Sequence, residues 1–376
     1  MNFFPTEENN MLDLYRIRRE LHQIPEIGFQ EFKTTEFILR ILKEYSELKI
    51  TTFDFTGILI EYSNGVGSYK LFRADMDALP IQENESCEFR SRHEGIMHAC
   101  GHDIHMTVLL GLIDKVVSNK LKENLLFVFQ PAEEGHGGAK RLLETEVLDN
   151  YEIAEAYALH VNGHLPLGTV ESKPGVFFAS TQEVTAKFIG KSAHVAFPQN
   201  GRNALAAASD FYLSLQQNIE NTFPGRDRAI CEFGKMQAGT VMNAIAAEAW
   251  LDGTMRAFED EDWKILKQLV EDTADKSARK YDLKQELIYN NFYLKVMNNP
   301  RLYSKLKQKV KDLGFEFIEA KAVFTGEDFG YFADLYPGLL FWLGTHQGEK
   351  QDLHSPTFLP DEKSIDIGVD VLYNLI

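Results

Sequence analysis

The sequence predicts an α/β protein whose main domain is interrupted by a smaller ferredoxin-like α+β domain. Three observations carry that expectation. Strand and helix signals alternate through the first 160 residues, as in a layered α/β architecture. The stretch 124–130 is apolar at five consecutive positions, Leu125 to Phe129, which suits a strand covered on both faces by helices. Near Phe177 the pattern changes to half-exposed strands around two long helical segments, a β-α-β-β-α-β succession of about 110 residues.

Taken in order, Met11 to His22 places Leu14, Ile17 and Leu21 at helical spacing, and Pro25-Glu26-Ile27-Gly28 ends that helix. A second helix is expected over 34–45, followed by strands over 49–53, 57–62 and 69–73. The last runs into Ala74-Asp75-Met76-Asp77. A helix then extends to about Asn119, strand 124–130 ends in Pro131-Ala132-Glu133-Glu134, and a strand over 154–159 delivers His160. In the interrupting domain, strands over 182–189, 228–236, 246–255 and 283–290 accompany helices over 201–219 and 262–278. Helical spacing returns over 300–313, 339–343 reads as a buried strand, and a last helix starts at Asp361. The expected domains are 1–177 with 291–376, and 178–290 as the insertion.

Composition narrows the function. Apolar residues make up 44% and charged residues 25%, as in ordinary globular domains. A net charge of −17 argues against nucleic acid or an anionic membrane surface as a partner. It leaves room for a small anionic substrate held by local groups. Three scattered cysteines, Cys87, Cys100 and Cys231, do not make a disulfide framework and suit a reducing interior. Met1 to Asn10 has neither a basic nor an apolar leader pattern, and no run of about 18 apolar residues occurs. The expected setting is cytoplasmic.

The chemistry gathers in Met97-His98-Ala99-Cys100-Gly101-His102-Asp103-Ile104-His105-Met106, which packs three histidines, a thiol and a carboxylate into ten residues. Polar groups placed beside an apolar run need partners, and a metal ion satisfies several together. Gly101 lets a turn aim Cys100 and His102 at one point. The plainer reading is a helix start capped by Asp103, with incidental histidines. Glu133 and Glu134 repel each other unless positive charge lies near; one could hold metal while the other takes a proton from water. As a solvated pair they would do neither. His160 is equally a core histidine, His354 a surface one, and Asp75 a turn cap. Recurring at strand ends, however, one Cys, three His and one Glu are too many donors for one tetrahedral ion and suit two.

Arg73-Ala74-Asp75-Met76-Asp77-Ala78-Leu79-Pro80, the Cys100 motif, Phe129-Gln130-Pro131-Ala132-Glu133-Glu134 and Thr325-Gly326-Glu327-Asp328-Phe329 resemble the dinuclear-metal aminoacylase/carboxypeptidase family. The likeness is greatest to its branch of hippurate hydrolases and auxin-conjugate amidohydrolases. Arg18 to Gly28 and Phe341-Trp342-Leu343-Gly344 narrow it to bacterial deacetylases within that branch. The resemblance implies a metallopeptidase-like α/β/α catalytic domain that hydrolyses a linear amide of an N-acyl amino acid. It implies two divalent ions, with manganese, zinc, cobalt and nickel all compatible with a thiolate donor. The implied ligands are Cys100, His102, Glu134, His160 and His354, with Glu133 as general base and Asp75 as the carboxylate supporting the site. Arg73 stands where more distant carboxypeptidases carry a ligating histidine.

The insertion carries Gly190-Lys191-Ser192-Ala193-His194-Val195-Ala196-Phe197-Pro198, similar to a family loop whose histidine donates to the carbonyl oxygen of the tetrahedral intermediate. That implies a catalytic role for His194 and a homodimer in which it reaches the partner's site. Asn243 and Arg256, at strand ends of the insertion, are the implied holders of the substrate carboxylate. The competing expectations are a general N-acyl-amino-acid amidohydrolase and a metal-binding protein without catalysis.

Overall fold

The computed structural model describes residues 12–84 and 87–376. Met1 to Asn10, and the expected helix start at Met11, lie outside them. The chain divides into two compact units. The first comprises the chain up to Phe177, Val296–Lys321 and Asp328–Ile376; the second comprises Phe178–Lys295 with Ala322–Glu327.

The first unit is built on an eight-stranded mixed sheet in the order Leu48–Thr52, Ile58–Ser63, Asn124–Gln130, Tyr69–Asp75, Ile153–Pro166, Gly338–His346, Thr169–Ser172 and Glu316–Glu319. The four middle strands, from Asn124–Gln130 to Gly338–His346, run parallel. Asn124–Gln130 is buried at every position, the reason its sequence is a continuous apolar run. Phe72 lies against Phe127 and Tyr157 with ring centroids 6.0 and 5.1 Å away, tying three adjacent strands together. The helix His102–Ser118 is buried along almost its whole length, which explains why its sequence lacks a clear polar face.

Local chemistry sets the helix starts. Asp13 accepts from Arg16 N to begin Leu14–His22, and Asn299 accepts from Arg301 N and Leu302 N ahead of Pro300. The strand expected to end at Leu159 continues to Pro166, so His160 lies within it. Beyond His160 the burial becomes intermittent, with Val161 and Gly163 buried and His164 exposed, and the apolar signal fades while pairing with Gly338–His346 persists. The last two strands of the sheet, Thr169–Ser172 and the edge strand Glu316–Glu319, are only four residues each, too short to show a period.

The second unit holds an antiparallel sheet in the order Lys284–Tyr293, Ser180–Ile189, Glu248–Ala257 and Ala229–Ala238. Its helices Ala204–Thr222 and Asp260–Lys280 share an apolar core with it, including Phe188, Phe211, Leu251, Leu266 and Val270. Strand, helix, strand, strand, helix, strand is the ferredoxin-like succession.

Asp103 does not cap its helix. Gly101 is the N-cap, and the fully buried Asp103 carboxylate instead accepts from Arg18 Nε and pairs with His22 Nδ1, both at 2.8 Å. His22 Nε2 reaches Glu83 Oε1 at 3.0 Å. Burial would raise the Asp103 carboxyl, but Arg18 and His22 outweigh it and hold it far below the ordinary range. Asp103→Ala leaves a buried guanidinium with only the more distant Glu362 carboxylate, 3.6 Å from Arg18 Nη1, and is expected to lower the unfolding free energy by about 3–5 kcal/mol. Urea unfolding reads this; a loss below about 1 kcal/mol would show that the pair contributes little.

Candidate metal centre

The parallel strands of the large sheet end in polar residues, the usual place for a site in such sheets. Asp75 closes its strand opposite Gln130, and His160 lies in the neighbouring strand opposite Trp342. Cys100 and His102 come from the turn that starts the central helix. Gly101 between them has φ +84°, and a Cβ there would lie 2.4 Å from Val161 Cγ2. Only glycine permits this close turn.

The turn brings the expected donors together. Cys100 Sγ lies 3.4 Å from His160 Nε2 and 3.4 Å from His354 Nε2. His354 Nε2 is 3.4 Å from Glu134 Oε1. Donor atoms of Cys100, His102 and His160 lie within 4.8 Å of one another, and so do those of Cys100, Glu134 and His354. Two groups of three donors therefore meet at one thiol. His354 comes from a loop more than 200 residues away in sequence and is held by its own N–H on Ala99 O at 2.8 Å, with φ +62°. Left-handed backbone at a non-glycine residue is strained and is found where position matters more than comfort.

The hydrogen bonds fix which ring nitrogens face inward. His102 Nδ1 donates to Asp77 O at 2.9 Å, and His160 Nδ1 to Val161 O at 2.8 Å, so Nε2 of each is free to act as a donor atom toward a cation. His102 Nε2 is buried without a hydrogen-bond partner. His105, an open candidate from sequence, is excluded as a ligand because both its nitrogens are engaged. Nε2 accepts from Val161 N at 2.9 Å and Nδ1 reaches Asp75 Oδ1 at 2.6 Å.

The electrostatics call for positive charge. Burial together with the carboxylates of Glu134 and Glu133 pushes the Cys100 thiol well above its ordinary range. Burial works against a charged His102, yet Asp75 and Asp77 push it up to about 10. Burial also raises Glu134, but His354 and His102 outweigh it and hold its carboxyl low. A buried thiol, imidazoles with inward nitrogens and a carboxylate form a donor set that fits divalent cations of the manganese-to-zinc series. Glu133 is buried beside Glu134, and its donor atom groups with those of His102 and Glu134.

Asp75 is supported from behind. Arg73 Nη1 donates to Asp75 Oδ2 and Nη2 to Asp328 Oδ1, both at 2.7 Å, while Nε donates to Gln130 Oε1 at 2.8 Å. Asp328 thus gives the Thr325-Gly326-Glu327-Asp328-Phe329 motif a physical role, as the second carboxylate on Arg73. Sequence reasoning missed Asp77, whose carboxylate accepts from Glu133 N and Glu134 N. Its spacing of two from Asp75, which puts both on one side of an extended chain, was the available signal.

The family model described as Peptidase family M20/M25/M40 matches residues 71–376. The chain belongs to this peptidase family. Among its curated relatives, proteins named N-acetyldiaminopimelate deacetylase from Shouchella clausii (strain KSM-K16) and Bacillus subtilis (strain 168) are 39% and 40% identical, each alignment covering 96% of both chains. A solved Bacillus subtilis structure described as a dinuclear metal binding peptidase from the M20 family superposes with TM-score 0.81 at 30% identity over 96% of both chains. A putative aminohydrolase from methicillin-resistant Staphylococcus aureus gives TM-score 0.87 at 27% identity over 96% of this chain and 94% of its own.

In this M20 chain the remaining candidates lie in the second unit. His194 is exposed, and its Nδ1 accepts from Ala196 N at 3.1 Å, leaving the proton on Nε2. Val195 N donates to Asn243 O at 3.2 Å, so His194 and Asn243 occupy adjoining loops. Arg256 is held elsewhere in the unit, with Nη1 donating to Phe324 O. Gly101→Ala must adopt left-handed backbone and displace Val161. It is expected to lose about 1–3 kcal/mol of stability by urea unfolding; unchanged stability would show that the turn relaxes freely.

Proposed function

We propose that the protein is a metal-dependent deacetylase that hydrolyses N-acetyl-LL-2,6-diaminopimelate to LL-2,6-diaminopimelate and acetate, a step of lysine synthesis by the acetylase route. The observation that carries this reading is the near-full-length similarity to curated relatives of that name. The donor cluster with a second carboxylate beside it supplies the chemistry that such a reaction needs. Two divalent ions (manganese, zinc, cobalt or nickel), held by Cys100, His102, Glu134, His160 and His354, would polarise the acetyl carbonyl and acidify water.

The chain's own groups do the rest. Glu133 takes the proton from the attacking water as its oxygen bonds to the acetyl carbon, then returns it to the nitrogen as the C–N bond breaks. Asp75, fixed by Arg73, orients His105, which in turn holds the Val161 amide beside His160. His194 Nε2–H stabilises the developing charge on the carbonyl oxygen. Asn243 and the free donors of Arg256 hold substrate carboxylate. The assembly in this reading is a homodimer through the second unit, in which a partner would cover the exposed Val195, Phe197, Val241 and Met242 around His194. Light scattering after size exclusion measures its mass. The setting is the cytoplasm, in keeping with three free cysteines. Among the described residues no helix is long and apolar enough to cross a membrane.

Acetate release by manganese-reconstituted protein tests the substrate, on a panel of N-acetyl-LL-diaminopimelate, N-acetylmethionine, hippurate and an indole-acetyl amino acid. The first is expected to lead in kcat/KM by at least ~100-fold, about 2.7 kcal/mol. Equal turnover of the others would make this a general N-acyl-amino-acid amidohydrolase, and no turnover of any would leave a metal-binding protein. Glu133→Gln is expected to lower kcat by about 10²–10⁴-fold with manganese content unchanged; turnover at the native rate would remove Glu133 from the role. Chelation should lower Tm, and restoring manganese at about 1,000 times its Kd should return about 4 kcal/mol of stability. A Tm indifferent to manganese would argue against ions held by these donors.

A further inference from the structure

Ala132 has φ +57°, and the short turn Glu133–His136 departs from helical geometry at Glu134 and Gly135. Such a segment cannot satisfy its first N–H groups internally, and successive N–H groups around a left-handed residue converge to make an anion nest. Here the acceptors are the protein's own carboxyl groups. Glu31 Oε1 accepts from Ala132 N at 2.8 Å, Asp77 Oδ1 from Glu133 N at 3.0 Å, and Asp77 Oδ2 from Glu134 N at 2.8 Å. Thr56 Oγ1 donates to the other Glu31 oxygen at 2.5 Å. Glu31 and Asp77 are both buried, so neither carboxylate is held by water instead. Asp77 also accepts from His102 Nδ1 through its carbonyl. One residue therefore joins the main chain of the Glu133-Glu134 pair to the ring orientation of His102.

We propose that Asp77 is the positioning residue for the Glu133-Glu134 pair, with Glu31 holding the amide before it, so that two buried carboxylates clamp three consecutive peptide N–H groups. The inference rests on the reading of Glu133 as base and Glu134 as ligand. It requires both carboxylate oxygens of Asp77 to be acceptors. An amide at this position can accept from only one of the two N–H groups and turns its own NH₂ toward the other. At Glu31 an amide suffices, because its oxygen still accepts from Ala132 N while its NH₂ can donate to Thr56 Oγ1.

The test compares Asp77→Asn, Glu31→Gln and Glu31→Leu in the full chain, reading kcat, KM, urea midpoint and manganese titration of chelator-treated protein. Asp77→Asn is expected to lower kcat by about 100-fold, as a small misplacement of a reacting group does, with KM within about 3-fold. It should also weaken one of two manganese-binding events by about 10–100-fold, as loss of a ligand's supporting bond does. Glu31→Gln should stay within about 3-fold of native kcat and Glu31→Leu should fall about 10-fold, a contrast that still decides the matter if Asp77→Asn does not fold. Native kcat and native manganese binding in Asp77→Asn overturn the proposal, and so do equal kcat values for the two Glu31 variants. Native turnover by Glu133→Gln would sink the base assignment instead, while the manganese titration of Asp77→Asn would still report whether Asp77 sets Glu134.

Discussion

Desolvation of like charge is the constraint on which the rest of the first unit depends. Asp75, Asp77 and Glu133 are buried at or just beyond the ends of neighbouring strands, with the buried Cys100 thiol of the helix-start turn and Glu134 alongside. Carboxylates this close stay ionised only opposite positive charge or N–H donors. The fold supplies two fixed counterparts. Arg73 places one guanidinium nitrogen on Asp75 and another on Asp328, and main-chain amides hold both oxygens of Asp77. Around Cys100 and Glu134 stand the imidazoles of His160 and His354, with His354 Nε2 3.4 Å from both. A cation would complete such a cluster.

The parallel sheet explains how residues so distant in sequence come to share that cluster. Adjacent parallel strands deliver their following loops to the same edge, so Asp75, Glu133 and His160 arrive from three neighbouring strands. The helix His102–Ser118 adds its N-terminal turn to this edge. Backbone conformation then aims the side chains. Gly101, Ala132 and His354 all have left-handed φ, at +84°, +57° and +62°, each beside or at a donor. Glycine adopts this backbone without strain; the strained Ala132 and His354 are held by hydrogen bonds from their own N–H groups, Ala132 N on Glu31 Oε1 and His354 N on Ala99 O.

Much of the fold was legible because burial imposes period. Leu125 to Phe129 read as a two-sided buried strand and is one, and the four strands and two helices of the insertion follow the expected succession. The parts that did not read were short or dominated by polar side chains. Thr169–Ser172 and Glu316–Glu319 are held by pairing with each other and, for the first, with Gly338–His346, and residues past Leu159 stay extended despite His160, Asn162 and His164. Hydrogen-bond saturation is invisible in a sequence as well. His102 and His105 look alike three residues apart, yet only His105 has both nitrogens occupied, one of them by an amide 56 residues away. Asp103 likewise looked like a helix cap and is the buried partner of Arg18, 85 residues distant.

The sequence by itself determined the donor types, their attachment to strand ends and turn glycines, and the family motifs, because those follow from residue chemistry and local spacing. Tertiary structure decided which donors meet. It brought His354 to Cys100 across 254 residues, turned the inward nitrogens of His102 and His160, and placed the Asp77 carboxylate under the amides of Glu133 and Glu134. Those choices rest on hydrogen bonds between segments far apart in the chain, and no local pattern records the partner of a buried polar group.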